Sequence, residues 1–185
     1  LSIMRMNDQA ELTDEEIIVA VRTKDKERYA EIIRRYSTKL YSYARYLVRD
    51  GQDAQDVVQQ TFIKAYVNLN GFDTKKKFSS WIYRIAHNCA MSMLGKEKNT
   101  TELDSYEDVK STVDLEDDLI RKELVSKTHA CLSQIPVLYR EPLSLYYLDE
   151  KSYEDISDIM RIPVSTVGVR IRRAKAIMHT ICQKI

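Results

Sequence analysis

The stretch from Ser152 to Lys175 leaves the chain few ways to fold. Ser152 is a good helix N-cap, and Glu154, Asp155 and Asp158 put acids in the N-terminal half of the helix it opens. Tyr153, Ile156, Ile159 and Met160 recur at helical spacing. Pro163 cannot continue that helix but suits the start of the next. The second segment carries Val167, Ile171, Ala174, Met178 and Ile181 on one stripe, with Ser165, Val169, Arg172 and Arg173 opposite. Arg170 and Gly168 flank that outer face, and no Asp or Glu follows Asp158. A short acidic helix, a tight turn and a basic second helix predict a helix-turn-helix whose second helix fits a DNA major groove. The other reading of the pattern is an ordinary αα-corner with a solvated basic face.

Four Gly and three Pro in 185 residues leave little room for turns, and the apolar residues run at helical period almost throughout. The expected fold is all-α. The formal net charge of +1 says little, so the distribution of charge has to carry any argument about nucleic acid. Cys89, Cys131 and Cys182 are widely spaced and form no CxxC pair, which points to reduced thiols in a cytoplasmic protein. No apolar run reaches the length of a membrane span, and no signal peptide is visible.

Thr13-Asp14-Glu15-Glu16 is a capping box opening a first helix with Ile17, Ile18, Ala20 and Val21. A second helix, from about Asp25, has the apolar face Tyr29, Ile32, Ile33, Tyr36, Leu40, Tyr43, Ala44 and Leu47. Asp53 is read as the cap of a third helix, with Val58, Phe62, Ala65 and Leu69 inward and Gln55, Asp56, Gln59 and Gln60 on the exposed side. That polar side is either plain solvated surface or a docking face for a partner.

Asn70-Gly71 ends this helix, and the loop after it sets Lys75, Lys76 and Lys77 between Phe72 and Phe78. A fourth helix follows, with Ile82, Ile85, Ala86, Cys89 and Met93 as its core stripe and Arg84, His87, Asn88 and Met91 outward. From Lys75 to Lys98 six basic residues face one acid, Glu97. Cations interleaved with aromatics suit single-stranded DNA, because cations track phosphate while rings stack on unpaired bases. Phe78 and Trp81 can equally be core aromatics, and His87 alone reads as a bystander. Asn99 to Glu123 holds nine acids against three bases, and residues 99 to 114 read as a mobile acidic linker, suited also to screening the basic surfaces on either side. Beyond it, Leu119, Leu124, Ala130 and Leu132 belong to a helix ending at Pro136, and Leu138 to Leu148 to another.

In this order the segments resemble a bacterial RNA polymerase sigma factor of the extracytoplasmic-function (ECF) group. Asp53-Ala-Gln-Asp-Val-Val-Gln-Gln-Thr-Phe62 is similar to the family's D-A-E-D-x-x-Q-E-x-F polymerase-binding helix. Phe78-Ser-Ser-Trp-Ile-Tyr-Arg-Ile-Ala-His-Asn88 is similar to its F-x-x-W-L-x-x-I-A-x-N segment, which melts and reads the −10 element. Leu132-Ser-Gln-Ile-Pro136 with Arg140, then the helix-turn-helix, resembles its −35-reading domain. The pattern departs at Ser92, Gly95 and Lys96, where the family commonly has an acid and arginines, and at Gly168 and Val169, where it has a basic and a small polar residue. These departures bear on the promoter sequence, not on the fold.

The resemblance implies two small helical domains, residues 1–98 and 118–185, joined by a flexible acidic linker over 99–117. It implies core polymerase contacts at Asp53, Asp56, Gln59 and Gln60, and −10 contacts at Lys75, Lys76, Lys77, Phe78, Trp81, Arg84 and Asn88. Ser165, Thr166, Val169, Arg170, Arg172 and Arg173 are the expected −35 contacts, with Arg173 on a base and Arg172 on phosphate. The expected partners are core RNA polymerase, duplex −35 DNA and single-stranded −10 DNA, and an anti-sigma protein such as some relatives have. No cofactor, metal or membrane insertion is implied, and no catalytic set is present: His87, His129 and His179 fall in different segments. A free-standing helix-turn-helix regulator with an N-terminal sensor or dimerisation domain is the rival. It would bind a palindrome as a symmetric dimer without polymerase.

Overall fold

A computed structural model of the chain describes residues 12–48, 50–100 and 130–182, with the side chains of 97–100 and 182 excepted. Helices and the turns between them make up the described residues, with no strand among them. Helix α1 (Asp14–Thr23) opens on the expected capping box: Glu16 N donates to Thr13 Oγ1 at 3.3 Å and Thr13 N to Glu16 Oε2 at 2.8 Å. It buries Ile17, Ile18 and Val21. A short 3-10 turn over Lys26–Arg28 leads into α2 (Tyr29–Leu47). Tyr29, Ile32, Tyr36, Leu40, Tyr43, Ala44 and Leu47 form its buried stripe. Ile33, expected on that stripe, is 39% exposed, since the stripe is narrower than its apolar residues allow.

Helix α3 (Gly51–Val67) begins earlier than expected. Its cap is Asp50, whose Oδ1 accepts from Gln52 N at 2.8 Å. Asp53 lies in the first turn, where a carboxylate complements the helix dipole without capping. Ala54, Val57, Thr61, Phe62 and Ala65 are buried, and Val58 is half-buried. After the 3-10 turn Leu69–Gly71, the Arg22 guanidinium gathers the carbonyls of Leu69 and Phe72, holding the loop to α1. Helix α4 (Phe78–Thr100) follows, its first amide donating to Glu15 Oε1 at 2.8 Å. It continues to Thr100, two residues into the stretch read as linker; residues 101–129, with the rest of that stretch and Leu119 and Leu124, lie outside the described residues.

The C-terminal part comprises a helical turn over residues 130–133, α5 (Val137–Tyr147), α6 (Tyr153–Met160) and α7 (Val164–Cys182). Ser152 caps α6 by accepting from Asp155 N at 3.1 Å. The chain leaves α6 through Arg161 in a left-handed conformation (φ 56°, ψ 44°), and the Pro163 carbonyl accepts from Thr166 N at 2.9 Å to start α7. Ile156, Ile159, Met160, Val167, Ile171 and Ala174 close the core of the pair, with Met178 and Ile181 half-buried further along. Helix α2 packs on α5 and α4 on α6, so buried residues from both ends of the chain share one cluster.

Candidate nucleic-acid interface

On α7 the periodicity does what the stripe requires. With Val167, Ile171 and Ala174 buried, Ser165, Val169, Arg172 and Arg173 are exposed, and Thr166 and Arg170 lie half-buried on the flanks. Arg173 Nη1 lies 3.4 Å from the Tyr139 hydroxyl of α5, and Lys175 Nζ sits 5.7 Å from the centroid of the Tyr147 ring. Gly168 faces Tyr153: a Cβ there would come within 3.4 Å of the ring, so the missing side chain makes room for the aromatic that opens α6. The face is cationic at its C-terminal half, apolar at Val169 and small and polar at Ser165, a set that can meet phosphates and base edges together.

The second candidate face runs from the loop after α3 along α4. Lys75, Lys76 and Lys77 are exposed, and the loop is turned by Asp73, whose Oδ1 accepts from Lys75 N at 3.0 Å. The aromatics differ from expectation. Phe78 is 0% exposed and Phe72 is buried, with ring centroids 5.4 Å apart. Phe78 therefore cannot stack on a base; its ring is fixed in the core between Phe72 and Tyr36. Trp81, half-buried against both Phe72 (5.1 Å) and Phe78 (5.6 Å), is the one ring of the three that keeps an open side.

Arg84 and His87 also depart from the outward placement expected of them; only Asn88 of that group is exposed. Arg84 Nη1 is 3.0 Å from Asp158 Oδ1 on α6. Lys77 Nζ is 3.1 Å from Asp155 Oδ1, and the buried Ser80 hydroxyl donates to the same oxygen at 3.0 Å. Burial raises the Asp155 pKa, but hydrogen bonds from Ser152, Lys77 and Ser80 outweigh it and hold the carboxyl below its ordinary range. His87 Nδ1 lies 2.6 Å from Glu141 Oε1 on α5, and Tyr43 donates to that oxygen at 2.6 Å. Tyr83, fully buried, donates to Asp149 Oδ1 at 2.6 Å, with Lys151 Nζ 4.3 Å from its ring centroid. Ser80, Tyr83, Glu141, Asp149, Asp155 and Asp158 carry no sign of these partnerships in the sequence. Each pair is separated by more than fifty residues, and no local periodicity encodes such a meeting.

The third candidate surface is α3. Asp56, Gln59 and Gln60 are exposed as expected, and Asp53 is half-buried. At the same helical spacing the stripe continues through Ile63 (49% exposed) and Val67 (72%). The polar motif thus runs into bare apolar surface, which a docking face needs and a merely solvated one does not. Among the described residues no group of three or more His, Cys, Asp or Glu is placed to hold a metal, and no helix is long and apolar enough to cross a membrane.

Residues 32–100 match the family Sigma-70 region 2, and residues 127–178 match Sigma-70, region 4. The ECF RNA polymerase sigma factor SigW of Bacillus subtilis is 33% identical over 171 residues, covering 85% of this chain and 90% of that protein. The fold is similar to that of CnrH, solved in complex with the cytosolic domain of CnrY, with a TM-score of 0.72 at 21% identity over 92% of this chain and 97% of that one. It is also similar to the sigma factor RpoE from Bartonella quintana, solved with the anti-sigma factor NepR, with a TM-score of 0.68 at 19% identity over 84% of this chain and 96% of that one. With two family regions in order and one-third identity along most of its length, the chain belongs to the extracytoplasmic-function group of RNA polymerase sigma factors.

Proposed function

We propose that this sigma factor reads its promoters through two faces, with α3 as the dock for core polymerase. As a sigma factor it serves core RNA polymerase in promoter-specific initiation and is not itself an enzyme. In this reading Asp53, Asp56, Gln59 and Gln60 meet the polymerase. Lys75, Lys76, Lys77, Trp81, Arg84 and Asn88 engage the separated −10 strand. Ser165, Thr166, Val169, Arg170, Arg172 and Arg173 engage the −35 duplex in its major groove. Residues 1–98 and 118–185 act as the two DNA-binding domains, with 99–117 between them. The protein works in the cytoplasm, where polymerase and promoter are. RpoE was solved with an anti-sigma factor, and an inhibitory partner of that kind is part of the proposal.

The observation that carries the reading is the outer face of α7, where Ser165, Val169, Arg172 and Arg173 are exposed together and no acid follows Asp158. The test is run-off transcription with core polymerase on fragmented genomic DNA. Discrete transcripts that need both the chain and core, and that share two spaced sequence elements, are expected. Binding of the chain alone, as a dimer, to a palindrome would instead support the free-standing regulator.

A further inference from the structure

We propose that Asp155 and Asp158 of α6 are an internal stand-in for promoter phosphate, closing the chain over its own −10 face until the two halves part. The inference rests on the reading above that Lys77 and Arg84 meet DNA. The two carboxylates lie three residues apart on one side of α6, and their partners are an ammonium, a hydroxyl and a guanidinium. Those groups are what proteins commonly offer to a DNA backbone. The contact removes access to two of the three: Ser80 is 4% exposed and the Arg84 side chain 18%, while the Lys77 side chain, held at its ammonium, stays 69% exposed. A DNA strand cannot take Ser80 and Arg84 while α6 holds them, so the contact and the strand exclude each other.

The rest of the interface keeps α6 in register. Arg140 of α5 donates to the Leu47 carbonyl at the end of α2 at 2.9 Å, and Glu141 is shared by Tyr43 and His87. The helix that leads into the −35 reader thereby lies across the −10 reader. The Asp155 carboxyl, held below its ordinary range, stays charged in this setting, as a phosphate mimic must.

The full chain carrying Asp155→Asn and Asp158→Asn tests this, with a fluorescein-labelled twelve-nucleotide single strand of mixed sequence as probe. Affinity is read by anisotropy and the radius of gyration by small-angle scattering. Glu150→Gln with Glu154→Gln makes the same charge change on exposed acids nearby. The first pair should bind the strand about three- to tenfold tighter than the parent, the scale of two partly shielded ion pairs, with an increased radius. The control pair should change affinity less than twofold.

Equal tightening in both pairs assigns the effect to bulk charge and overturns the proposal. An unchanged radius and affinity also overturn it, since the two carboxylates then neither hold the halves together nor keep the strand off; they leave the −10 assignment standing. An increased radius without tightening means that the halves part and the exposed residues do not meet DNA, which overturns the −10 reading and the proposal with it. As a second variant, Asp158→Arg should open the chain, and adding Arg84→Asp should restore the radius. Failure of that swap removes the Arg84–Asp158 pair from the contact.

Discussion

Tyr43 on α2 and Glu141 on α5 stand 98 positions apart in sequence, yet the phenol donates to Glu141 Oε1 at 2.6 Å with both side chains buried. A carboxylate at 1% exposure persists only if its oxygens are satisfied. Here Tyr43 and His87 both meet Oε1, and burial together with the neighbouring carboxylate pushes the Tyr43 hydroxyl pKa well up, keeping it a donor.

Tyr43→Phe therefore removes a donor while leaving the ring against Tyr83, whose centroid is 5.2 Å away. Depriving a buried carboxylate of one partner costs about 1–3 kcal/mol. For a chain of this size the melting temperature should fall by about 3–8 °C. Calorimetry on the full chain checks it. A melting temperature equal to the parent's would mean that the Tyr43–Glu141 hydrogen bond does not stabilise the folded chain.

Asp149 gives the same interface a pH dependence. Burial raises its pKa to about 6, against the smaller opposing effects of the Tyr83 hydrogen bond and of Lys151 and Lys39. Its Oδ2 is buried without a hydrogen-bond partner. The folded form holds this proton more tightly than the unfolded chain, so below about pH 4 both are protonated and the group costs nothing. The cost grows as pH rises from about 4 to about 6 and is complete above that. Asp149→Asn should flatten this part of the stability profile, so that the change in melting temperature between pH 7 and pH 5 is smaller than in the parent. Parallel profiles for the two proteins would contradict it.

The helices themselves were readable because burial repeats at 3.6 residues. The stripes of α2 and α7 and the Thr13 and Ser152 caps are local facts of the sequence. The cap of α3 is ambiguous in sequence because Asp50 and Asp53 both offer a carboxylate near the helix start, and the helix takes the earlier one. The burial of Phe78 is invisible in sequence because a basic loop around aromatics has the same composition whether its rings stack on bases or on one another. The seam of Lys77, Ser80, Arg84 and His87 with Asp155, Asp158 and Glu141 was not legible at all. Charges on two amphipathic surfaces look solvated until the surfaces are known to meet.

Asp56→Arg reverses a charge on the exposed side of α3 while leaving Val57 and Phe62 in the core. The far-ultraviolet circular dichroism should stay as it is, and affinity for core polymerase should drop by about tenfold or more, the scale of a charge-complementary contact turned repulsive. Ile63→Asn, on the same stripe, should weaken core binding in the same direction. Undiminished affinity in both would take this face out of the polymerase interface.

Trp81 has two roles to separate, since its ring packs on Phe72 and Phe78 and keeps one side open. Trp81→Ala should cost stability, by about 2 kcal/mol for a half-buried aromatic. It should also slow open-complex formation by more than it weakens the closed complex, since a stacked base is worth about 1–3 kcal/mol. Trp81→Phe should recover most of the stability and much of the opening rate. If the alanine variant loses closed and open complexes alike, in proportion to its lost stability, the ring is core and no more.

The outer face of α7 offers two arginines that the structure treats differently. Arg172 is exposed on the stripe of Ser165 and Val169, while Arg173 reaches toward the Tyr139 hydroxyl, 3.4 Å away. Arg suits bidentate contact with the O6 and N7 of guanine, and loss of such a contact costs about 1–3 kcal/mol and relaxes preference at one position. A phosphate contact, when lost, weakens binding evenly across sequences and lowers the salt slope by about one. The Tyr139 hydroxyl offers the Arg173 guanidinium a partner at the outer edge of hydrogen-bond range, and a side chain held toward its target gives up less entropy on meeting a fixed pair of acceptors. Arg173→Ala should therefore blur one −35 position in transcription from a randomised −35 library. Arg172→Ala should lower output across all sequences without changing the preferred one. Tyr139→Phe should reproduce the Arg173 effect in part, since it frees the guanidinium without removing it. A sequence preference untouched by Arg173→Ala assigns base reading elsewhere, and preferences and output untouched by either change take this face of α7 off the DNA.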